Sequence, residues 1–269
     1  LSKKIMELEN RLGGQLFIRK KYEVVLSPFG EQMSSYINNI VENYNILCSA
    51  AENYNLNRQK SFRVATFLNA AQSGLMDFIT GFEASEKNLY VETIEKSHGK
   101  LKQMLISRQV DVCYAYAELM GDFSDYKKIL IRREPLVLVA NCEYAKSRGW
   151  ETSVSLSECS DERFCFPRED REMFLYFLAN CRSNGFTPEL TLSDVRLETV
   201  KKYVQLGMRC TLQMRCYAHA VFSESEFRIL DIEGNPAMNL AMYVNTARES
   251  VVKDIFVKES ITYFSEAIM

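Results

Sequence analysis

Residues 1–31 read LSKKIMELENRLGGQLFIRKKYEVVLSPFGE. The first apolar residues recur at spacings of four, three and four, which predicts one face of a helix: Leu1, Ile5, Leu8 and Leu12. Gly13-Gly14 then ends that helix, as glycine commonly does at a helix C-terminus. A basic run and the β-prone YEVVL at 22–26 predict a small hairpin. A helix followed by a basic hairpin is the order of a recognition helix and its wing.

The charge of this stretch differs from that of the rest of the chain. Residues 1–21 hold six Lys or Arg residues against two Glu, although the whole chain carries a net charge of −2. A basic end attached to an acidic body predicts contact with a polyanion.

Residues 27–57 predict one long helix. Ser27 and Pro28 are a favourable N-cap and first helical residue. Apolar residues then follow at alternating spacings of four and three, the heptad seam of a coiled coil: Met33, Ile37, Ile40, Tyr44, Leu47, Ala51 and Tyr54. Because the seam is narrow and the other face polar, we expect it to pair two copies of the chain. The alternative is an amphipathic helix packed on its own domain.

From Ser61 to Met269 the chain alternates strand and helix patterns. Predicted strands include FRVATF at 62–67, LYVETI at 89–94, VDVCYAY at 110–116, residues 129–131 and LVLVA at 136–140. Predicted helices include 70–82, 97–109, 171–184, 196–206 and 250–268. This alternation indicates an α/β architecture with largely parallel sheets, long enough for two lobes.

Composition narrows the class of protein. The chain has no apolar run of about 18 residues and no apolar leader at its beginning, so we expect a cytoplasmic protein outside the membrane. Its eight Cys form no C-x-x-C pair and no zinc-finger pattern, so we predict reduced thiols and neither metal nor cofactor. A thiol sensor using Cys210 and Cys216, or Cys159 and Cys165, is the open alternative.

The opening stretch resembles the second half of the DNA-binding domain of LysR-type transcriptional regulators. The matching motifs are Leu1-Ser2, Ile5-x-x-Leu8-Glu9-x-x-Leu12-Gly13, Leu16-Phe17-x-Arg19 and Leu26-Ser27-x-x-Gly30. Four later segments resemble the family in the same order: REPLVLVA at 133–140, VSLSE at 154–158, GFTPEL at 185–190 and LETVKKYVQLGMRCTL at 197–212. The chain departs from the family at 207–214, where a second Gly and a Pro are missing.

The resemblance implies an α/β fold with three parts. Residues 1–26 would be the C-terminal part of a winged helix-turn-helix domain, and residues 27–57 a dimerising linker helix. Residues 58–269 would be an effector-binding domain of two Rossmann-like lobes resembling a type 2 periplasmic binding protein. Lobe I would comprise 61–140 and 236–269, and lobe II 141–235. The two crossings would then fall near Ala140-Asn141 and Gly234-Asn235-Pro236.

The same resemblance implies a DNA-binding surface. The start of the recognition helix would reach base edges and the wing would contact phosphate. The expected DNA-binding residues are Ser2, Lys3, Lys4, Arg19, Lys20, Lys21 and Ser27. Because the chain begins at Leu1, within the expected recognition helix, we expect it to bind DNA poorly and the longer protein to bind well.

Ligands of open α/β sheets bind beyond the carboxyl ends of strands. The expected effector-binding residues are Thr66, Phe67, Leu68, Asn69, Ser97, His98, Tyr116, Phe166, Pro167, Arg168, Asp194, Thr211 and Gln213. Donors outnumber acceptors in this set, which favours a carboxylate-bearing metabolite. His98, one of two His, is also a candidate general base. No Ser/His/Asp or Cys/His arrangement is evident around it, so a His in a capped loop is favoured and no catalytic residue is predicted.

These expectations describe a regulator that binds promoter DNA as a homodimer through residues 27–57, assembles further into a tetramer, and responds to a small effector. In the family's mechanism the effector closes the lobes and shifts how dimers pack in the tetramer. Two other classes share the two-lobed fold. A solute-binding protein would have a secretion leader, and a cytoplasmic enzyme would have a catalytic constellation; neither is evident in the sequence.

Overall fold

The computed structural model describes residues 2–19, 23–56, 61–85, 90–190 and 195–266. The chain separates into two compact units, residues 1–59 and 60–269. None of the described helices combines the length and apolar composition that a membrane crossing requires.

The first unit contains the elements predicted from residues 1–57. Helix α1 (Ser2–Leu12) leads into an antiparallel hairpin, β1 (Phe17–Arg19) and β2 (Val24–Leu26), and then into helix α2 (Pro28–Leu56). In the hairpin Phe17 lies opposite Leu26. Glu9 on α1 braces the hairpin, because its Oε1 accepts hydrogen bonds from the backbone N–H groups of Leu16 (2.7 Å) and Phe17 (3.2 Å).

The start of α2 is packed tightly against the segments before it. The Ser27 hydroxyl is buried and accepts the Gly30 N–H at 2.9 Å, the cap geometry that the sequence predicts. A Cβ at Gly30 would lie 2.1 Å from the Leu16 carbonyl oxygen, so only glycine fits there. Phe29 covers Gly14, where a Cβ would lie 2.8 Å from the Phe29 ring.

In the described part of the α2 seam, Ile40, Tyr44 and Leu47 are exposed, while Met33 and Ile37 are half-buried. Ile40 is 67% exposed and Leu47 is 64% exposed. Soluble proteins rarely leave a regular row of large apolar side chains in water. The row therefore does not belong to a helix that packs its apolar face against its own unit.

The second unit has ten strands and eight helices in its described part. They are β3 Ser61–Phe67, α3 Leu75–Ser85, β4 Tyr90–Lys96, α4 His98–Ile106, β5 Val112–Tyr116, α5 Ala117–Met120, β6 Tyr126–Asn141, α6 Cys142–Ser147, β7 Ser153–Val154, β8 Arg163–Phe164, α7 Arg171–Ser183, β9 Glu189–Leu190, α8 Leu197–Gln205, β10 Thr211–Met214, α9 Arg215–Val221, β11 Phe227–Ile232, β12 Ala237–Asn245 and α10 Val251–Glu266. Single 3-10 turns lie at Ala70–Ser73 and Leu156–Cys159.

The main sheet is mixed, whereas the sequence predicted largely parallel pairing. Its strand order is β4-β3-β5-β12-β6-β11-β7, and β10 also pairs with β6. Strand β3 pairs in parallel with β4 and β5, but β6 runs antiparallel to β10, β11 and β12. Strand β6 therefore makes only antiparallel pairs, in contrast to β3.

Strand β6 is shared by both lobes. Its residues 126–135 pair with β12 in lobe I, and residues 136–141 pair with β10 and β11 in lobe II. The sequence predicted two separate strands here, with the crossing at Ala140-Asn141. The strand is instead continuous, and its pairing partner changes at Pro135–Leu136. The return crossing lies between the end of β11 at Ile232 and the start of β12 at Ala237.

One large apolar cluster extends through lobe I and into lobe II, and a second, smaller cluster lies within lobe II. In lobe I, Phe62, Phe78, Phe82 and Phe256 form an aromatic cluster between the sheet and helices α3 and α10, with the Phe62 and Phe256 ring centroids 4.8 Å apart. In lobe II a smaller cluster joins Val137 and Val139 of β6 to Val200 and Val204 of α8. The elements missed from sequence, α5, α6, β7 and α9, have two to seven residues each, too few for a periodic pattern.

Candidate functional site

A cavity of about 60 Å³ lies between the two lobes. Lobe I lines it with the carboxyl ends of β3 and β5, and lobe II with the loop before α7, with α7 itself, the start of α8, β10 and α9. The lining residues are Phe67, Leu68, Asn69, Tyr116, Pro167, Glu169, Asp170, Met173, Phe177, Leu197, Gln213, Met214 and Tyr217. No cationic side chain is among these described lining residues.

The lobe I wall is built from stacked rings. His98, fully buried at the start of α4, stacks with Phe67 (centroids 6.0 Å apart) and with Tyr116 (5.8 Å). Phe67 and Tyr116 also contact each other, with centroids 5.0 Å apart. The imidazole therefore holds two cavity-lining rings in place without lining the cavity itself.

A buried hydrogen-bonded pair joins the lobes beside the cavity. Asp170 in lobe II accepts two hydrogen bonds from His98 in lobe I on one oxygen, Oδ2: the Nδ1–H at 2.6 Å and the backbone N–H at 2.9 Å. Its other oxygen accepts the Met173 N–H at 3.4 Å and caps α7. One carboxylate thus occupies the N-termini of α4 and α7 together.

The His98 ring is a structural group with both nitrogens engaged. Its Nε2 accepts the Tyr116 N–H at 3.2 Å, which assigns the proton to Nδ1, facing Asp170. The sequence favoured a His in a capped loop; the residue lies instead in a helix, and Ser97 supplies no side-chain cap. An imidazole with both nitrogens bonded inside the protein has no free nitrogen to act as a general base.

The environment of Asp170 favours its charged form. Burial acts to raise the pKa of this carboxyl, but the hydrogen bonds that it accepts from the His98 side chain, the His98 backbone and the Met173 N–H outweigh burial, and the pKa is lowered.

This shift predicts how stability depends on pH. A carboxyl whose pKa is lower in the folded state stabilises the fold above its unfolded pKa of about 3.9, and that stabilisation is lost as pH falls through the folded value. The difference in free energy of unfolding between wild type and Asp170→Asn, measured in urea, should therefore be larger at pH 5 than at pH 2. An equal difference at both pH values would contradict this account.

The lobe II wall carries the second carboxylate. Glu169 makes no hydrogen bond or ion pair with any described residue. Partial burial raises its pKa, as does repulsion from Glu198, while Arg196 opposes the shift. Burial also raises the pKa of Tyr217, with smaller contributions in the same direction from Glu198 and Glu169. Glu169 and Glu198 therefore both place negative charge near this side of the cavity, and Arg196 partly offsets it.

The cavity brings together six of the thirteen residues expected from sequence: Phe67, Leu68, Asn69, Tyr116, Pro167 and Gln213. Six others lie elsewhere in the described structure: Thr66, Ser97, His98, Phe166, Arg168 and Thr211. Asp194 lies outside the described residues. Whether any of the six lining residues contacts an effector stays a prediction.

The six that do not line the cavity have other roles. Thr66 is buried with no partner for its hydroxyl among the described residues. Arg168 is exposed and stacks on Phe174, 4.5 Å from the ring centroid. Phe166 packs on Phe177 within lobe II, and Thr211 accepts the Gln213 side-chain N–H at 3.3 Å.

Seven lining residues were missed from sequence: Glu169, Asp170, Met173, Phe177, Leu197, Met214 and Tyr217. A signal existed for Asp170, because an Asp immediately before a predicted helix is a favoured N-cap. Glu169 lies in the loop before α7. The others lie on helices α7, α8 and α9 or at the end of β10, and nothing local marks which helical face meets the other lobe.

The expected DNA-binding residues fall into three groups. Lys3 and Lys4 are exposed on α1, Ser2 begins that helix, and Arg19 ends β1. Lys20 and Lys21 lie outside the described residues. Ser27 is buried, and its hydroxyl is committed to the α2 cap and to the Gln15 carbonyl oxygen, so its role is structural.

The described cysteines are free thiols, and most are buried. Burial raises the pKa of Cys159, Cys165 and Cys181 to about 12, and that of Cys113 and Cys210 further. These environments disfavour the thiolate that a sensor requires. No cluster of three or more potential metal-ligating side chains occurs in the described part of the chain.

Alkylation should therefore be selective. In the folded protein at pH 8, iodoacetamide should label the half-buried Cys142 and Cys216 before the five buried thiols, because the thiolate is the reacting species. Peptide mapping by mass spectrometry over a time course measures this order, and unfolding in urea should equalise the rates. Labelling of Cys159 or Cys165 as fast as Cys142 would contradict the prediction and favour the sensor alternative.

A two-lobed α/β domain with a cavity between its lobes, preceded by a helix, a hairpin and a long helix, defines the class of an effector-responsive regulator. The family model described as the LysR substrate binding domain matches residues 57–253. The chain therefore belongs to the LysR family of transcriptional regulators, as its motifs predict.

Individual relatives agree with this assignment. The chain is 21% identical to the HTH-type transcriptional regulator CysB of Burkholderia cenocepacia in an alignment of 229 residues. This alignment covers 77% of this chain and 66%, just under two thirds, of that protein. The regulatory domain of Synechocystis CcmR, solved with 2-PG, covers 77% of this chain and 98% of its own length at 15% identity, with a TM-score of 0.65. Full-length CbnR, solved with its target DNA, matches 98% of this chain and 88% of its own length at 13% identity, with a TM-score of 0.61.

Proposed function

We propose that this chain is part of a DNA-binding transcriptional regulator whose activity is switched by a small effector held between its two lobes. The observation that carries the proposal is the cavity, which is lined from both lobes. A ligand there contacts both lobes and can therefore favour one arrangement of the lobes over another. The ligand seen in the CcmR regulatory domain supports the same use of the fold.

The first unit supports DNA binding. Helix α1 and the hairpin have the order of a recognition helix and wing, and Lys3 and Lys4 are exposed on the helix. The DNA complex of CbnR, a structural relative, supports this assignment. We propose Ser2, Lys3 and Lys4 at the groove and Arg19, Lys20 and Lys21 at the phosphates; Ser27 is omitted because its hydroxyl has partners within the chain.

The exposed seam of α2 supports a homodimer formed through residues 27–57, which would place two recognition helices on one DNA site. Assembly of dimers into a tetramer is part of the same proposal. A solute-binding protein would have no use for the basic α1 and the seam, and the buried His98–Asp170 pair offers no enzyme-like base.

Electrophoretic mobility shift of the full-length gene product on the promoter of its own gene tests the proposal. We expect a shifted complex that weakens as salt rises, because phosphate contacts release counterions. Lys3→Ala with Lys4→Ala should weaken it by at least about tenfold. A matched control is Lys258→Ala, which removes a cation from α10. A protein that ignores every fragment from its own promoter would overturn the proposal.

A further inference from the structure

The charge of the cavity lining defines the class of ligand that it accepts, given the effector site proposed above. Sequence analysis favoured a carboxylate, because strand ends and helix N-termini offer N–H donors there. The structure shows how several of those donors are already used. Asp170 takes the His98 N–H at the start of α4 and the Met173 N–H in the first turn of α7. The chain's own carboxylate thus fills the position in which an anionic ligand would be held.

The third helix that begins at the cavity also disfavours an anion. Leu197, the first residue of α8, lines the cavity, but Glu198 in the first turn places a carboxylate at this positive helix end. Glu198 and Glu169 both act to raise the pKa of Tyr217, so their negative potential reaches the cavity wall. A bound carboxylate would add a third negative charge to this side.

The remaining lining suits the opposite charge. Phe67, Tyr116, Phe177 and Tyr217 present aromatic rings, and aromatic faces attract ammonium groups. Glu169 is a carboxylate without a hydrogen-bonding partner in the described structure, and a cation beside it would relieve its repulsion from Glu198. Asn69 and Gln213 add neutral amides that can accept an N–H.

We propose that the cavity binds a small organic cation, an amine with a compact apolar body, with its ammonium group at Glu169 and its body among the aromatic rings. The size of the cavity limits the body. At about 60 Å³ it is much smaller than the roughly 150 Å³ apolar cavity that takes up benzene. We therefore expect an amine with fewer non-hydrogen atoms than the six of benzene.

A matched set of probes tests the charge preference. Isobutylamine, isobutanol and isobutyrate share an isopropyl group and differ in their head groups, which are cationic, neutral and anionic. Titration calorimetry on the full chain at pH 7 should give isobutylamine the tightest binding, at least about tenfold tighter than isobutyrate. Tighter or equal binding of isobutyrate overturns the proposal, and so does the absence of binding by all three.

A substitution that removes the charge of Glu169 tests whether the ammonium group binds there. Glu169→Gln keeps the size of the side chain and removes its charge, so isobutylamine should bind about fivefold more weakly while isobutanol is unchanged. Glu233→Gln, which neutralises an exposed carboxylate outside the cavity, is the matched control and should change neither. Equal affinities of wild type and Glu169→Gln for isobutylamine would overturn the assignment of Glu169.

This outcome is separable from that of the proposed function. If the full-length gene product binds its promoter but the chain prefers isobutyrate, the proposed regulator is supported and the proposed cationic ligand is rejected. If the chain prefers isobutylamine but the full-length gene product does not bind its promoter, the cationic ligand is supported and the proposed regulator is rejected.

Discussion

Asp170→Ala is expected to lower the free energy of unfolding of the second unit by about 3–5 kcal/mol, the combined cost of two unsatisfied buried donors and a lost helix cap. The substitution leaves the His98 Nδ1–H and backbone N–H buried without their acceptor and removes the cap of α7. Urea denaturation followed by circular dichroism measures the change. Asp170→Asn keeps an acceptor oxygen, so its loss should be smaller, about 1–2 kcal/mol.

Asp161→Ala is the control, because it removes an exposed carboxylate from the same lobe and should change stability by less than about 0.5 kcal/mol. A double-mutant cycle with His98→Ala separates the free energy of the His98–Asp170 side-chain interaction from that of the α7 cap. If Asp170→Ala cost no more in the wild-type background than in His98→Ala, the two side chains would not be coupled and the junction between the lobes would have to be reassigned.

Ile40→Glu combined with Leu47→Glu is expected to convert a dimer into a monomer. Each substitution puts a charge on the seam of α2, and a symmetric dimer loses four buried apolar side chains. At about 1.5–3 kcal/mol for each, the loss of association free energy is about 6 kcal/mol or more, which is a factor of at least about 10⁴ in Kd. Sedimentation velocity over a range of concentrations measures the effect.

Ser35→Glu is the matched control, because it adds the same charge to α2 on the face opposite the seam, where Ser35 is exposed. It should leave the dimer intact. If both variants sedimented like wild type, the seam would not be the dimer contact, and the proposed pairing of residues 27–57 would be abandoned.

The elements that could be predicted from sequence are those with a local physical signal. The apolar spacing of α1, the Ser27 cap and the apolar spacing of α2 each depend on residues a few positions apart. Both helices and the cap occur close to where they are predicted, and the pairing of two chains along the α2 seam stays a prediction. The strands at 61–67 and 112–116 are largely buried runs, and they too were found close to their expected limits.

The candidate site could be predicted only in part, because it depends on contacts between distant residues. Strand ends identified Phe67 and Tyr116 but not the helical faces that meet them from lobe II. The expected surplus of donors was counted from residue types. His98 and Asp170, 72 positions apart, use those donors internally, and that pairing has no signature in the local sequence. The charge preference inferred from structure is therefore the reverse of the one inferred from sequence.

The continuous β6 has a consequence for how such domains can be recombined. A chimaera that takes one lobe from this chain and the other from a relative, joined at residue 140, would separate Leu136–Ala140 from the strands with which they pair. Joints at Pro135–Leu136 and between Ile232 and Ala237 keep the paired strands of each lobe from the same parent protein. Gene exchange between relatives should therefore preserve function only when its breakpoints fall at these two places.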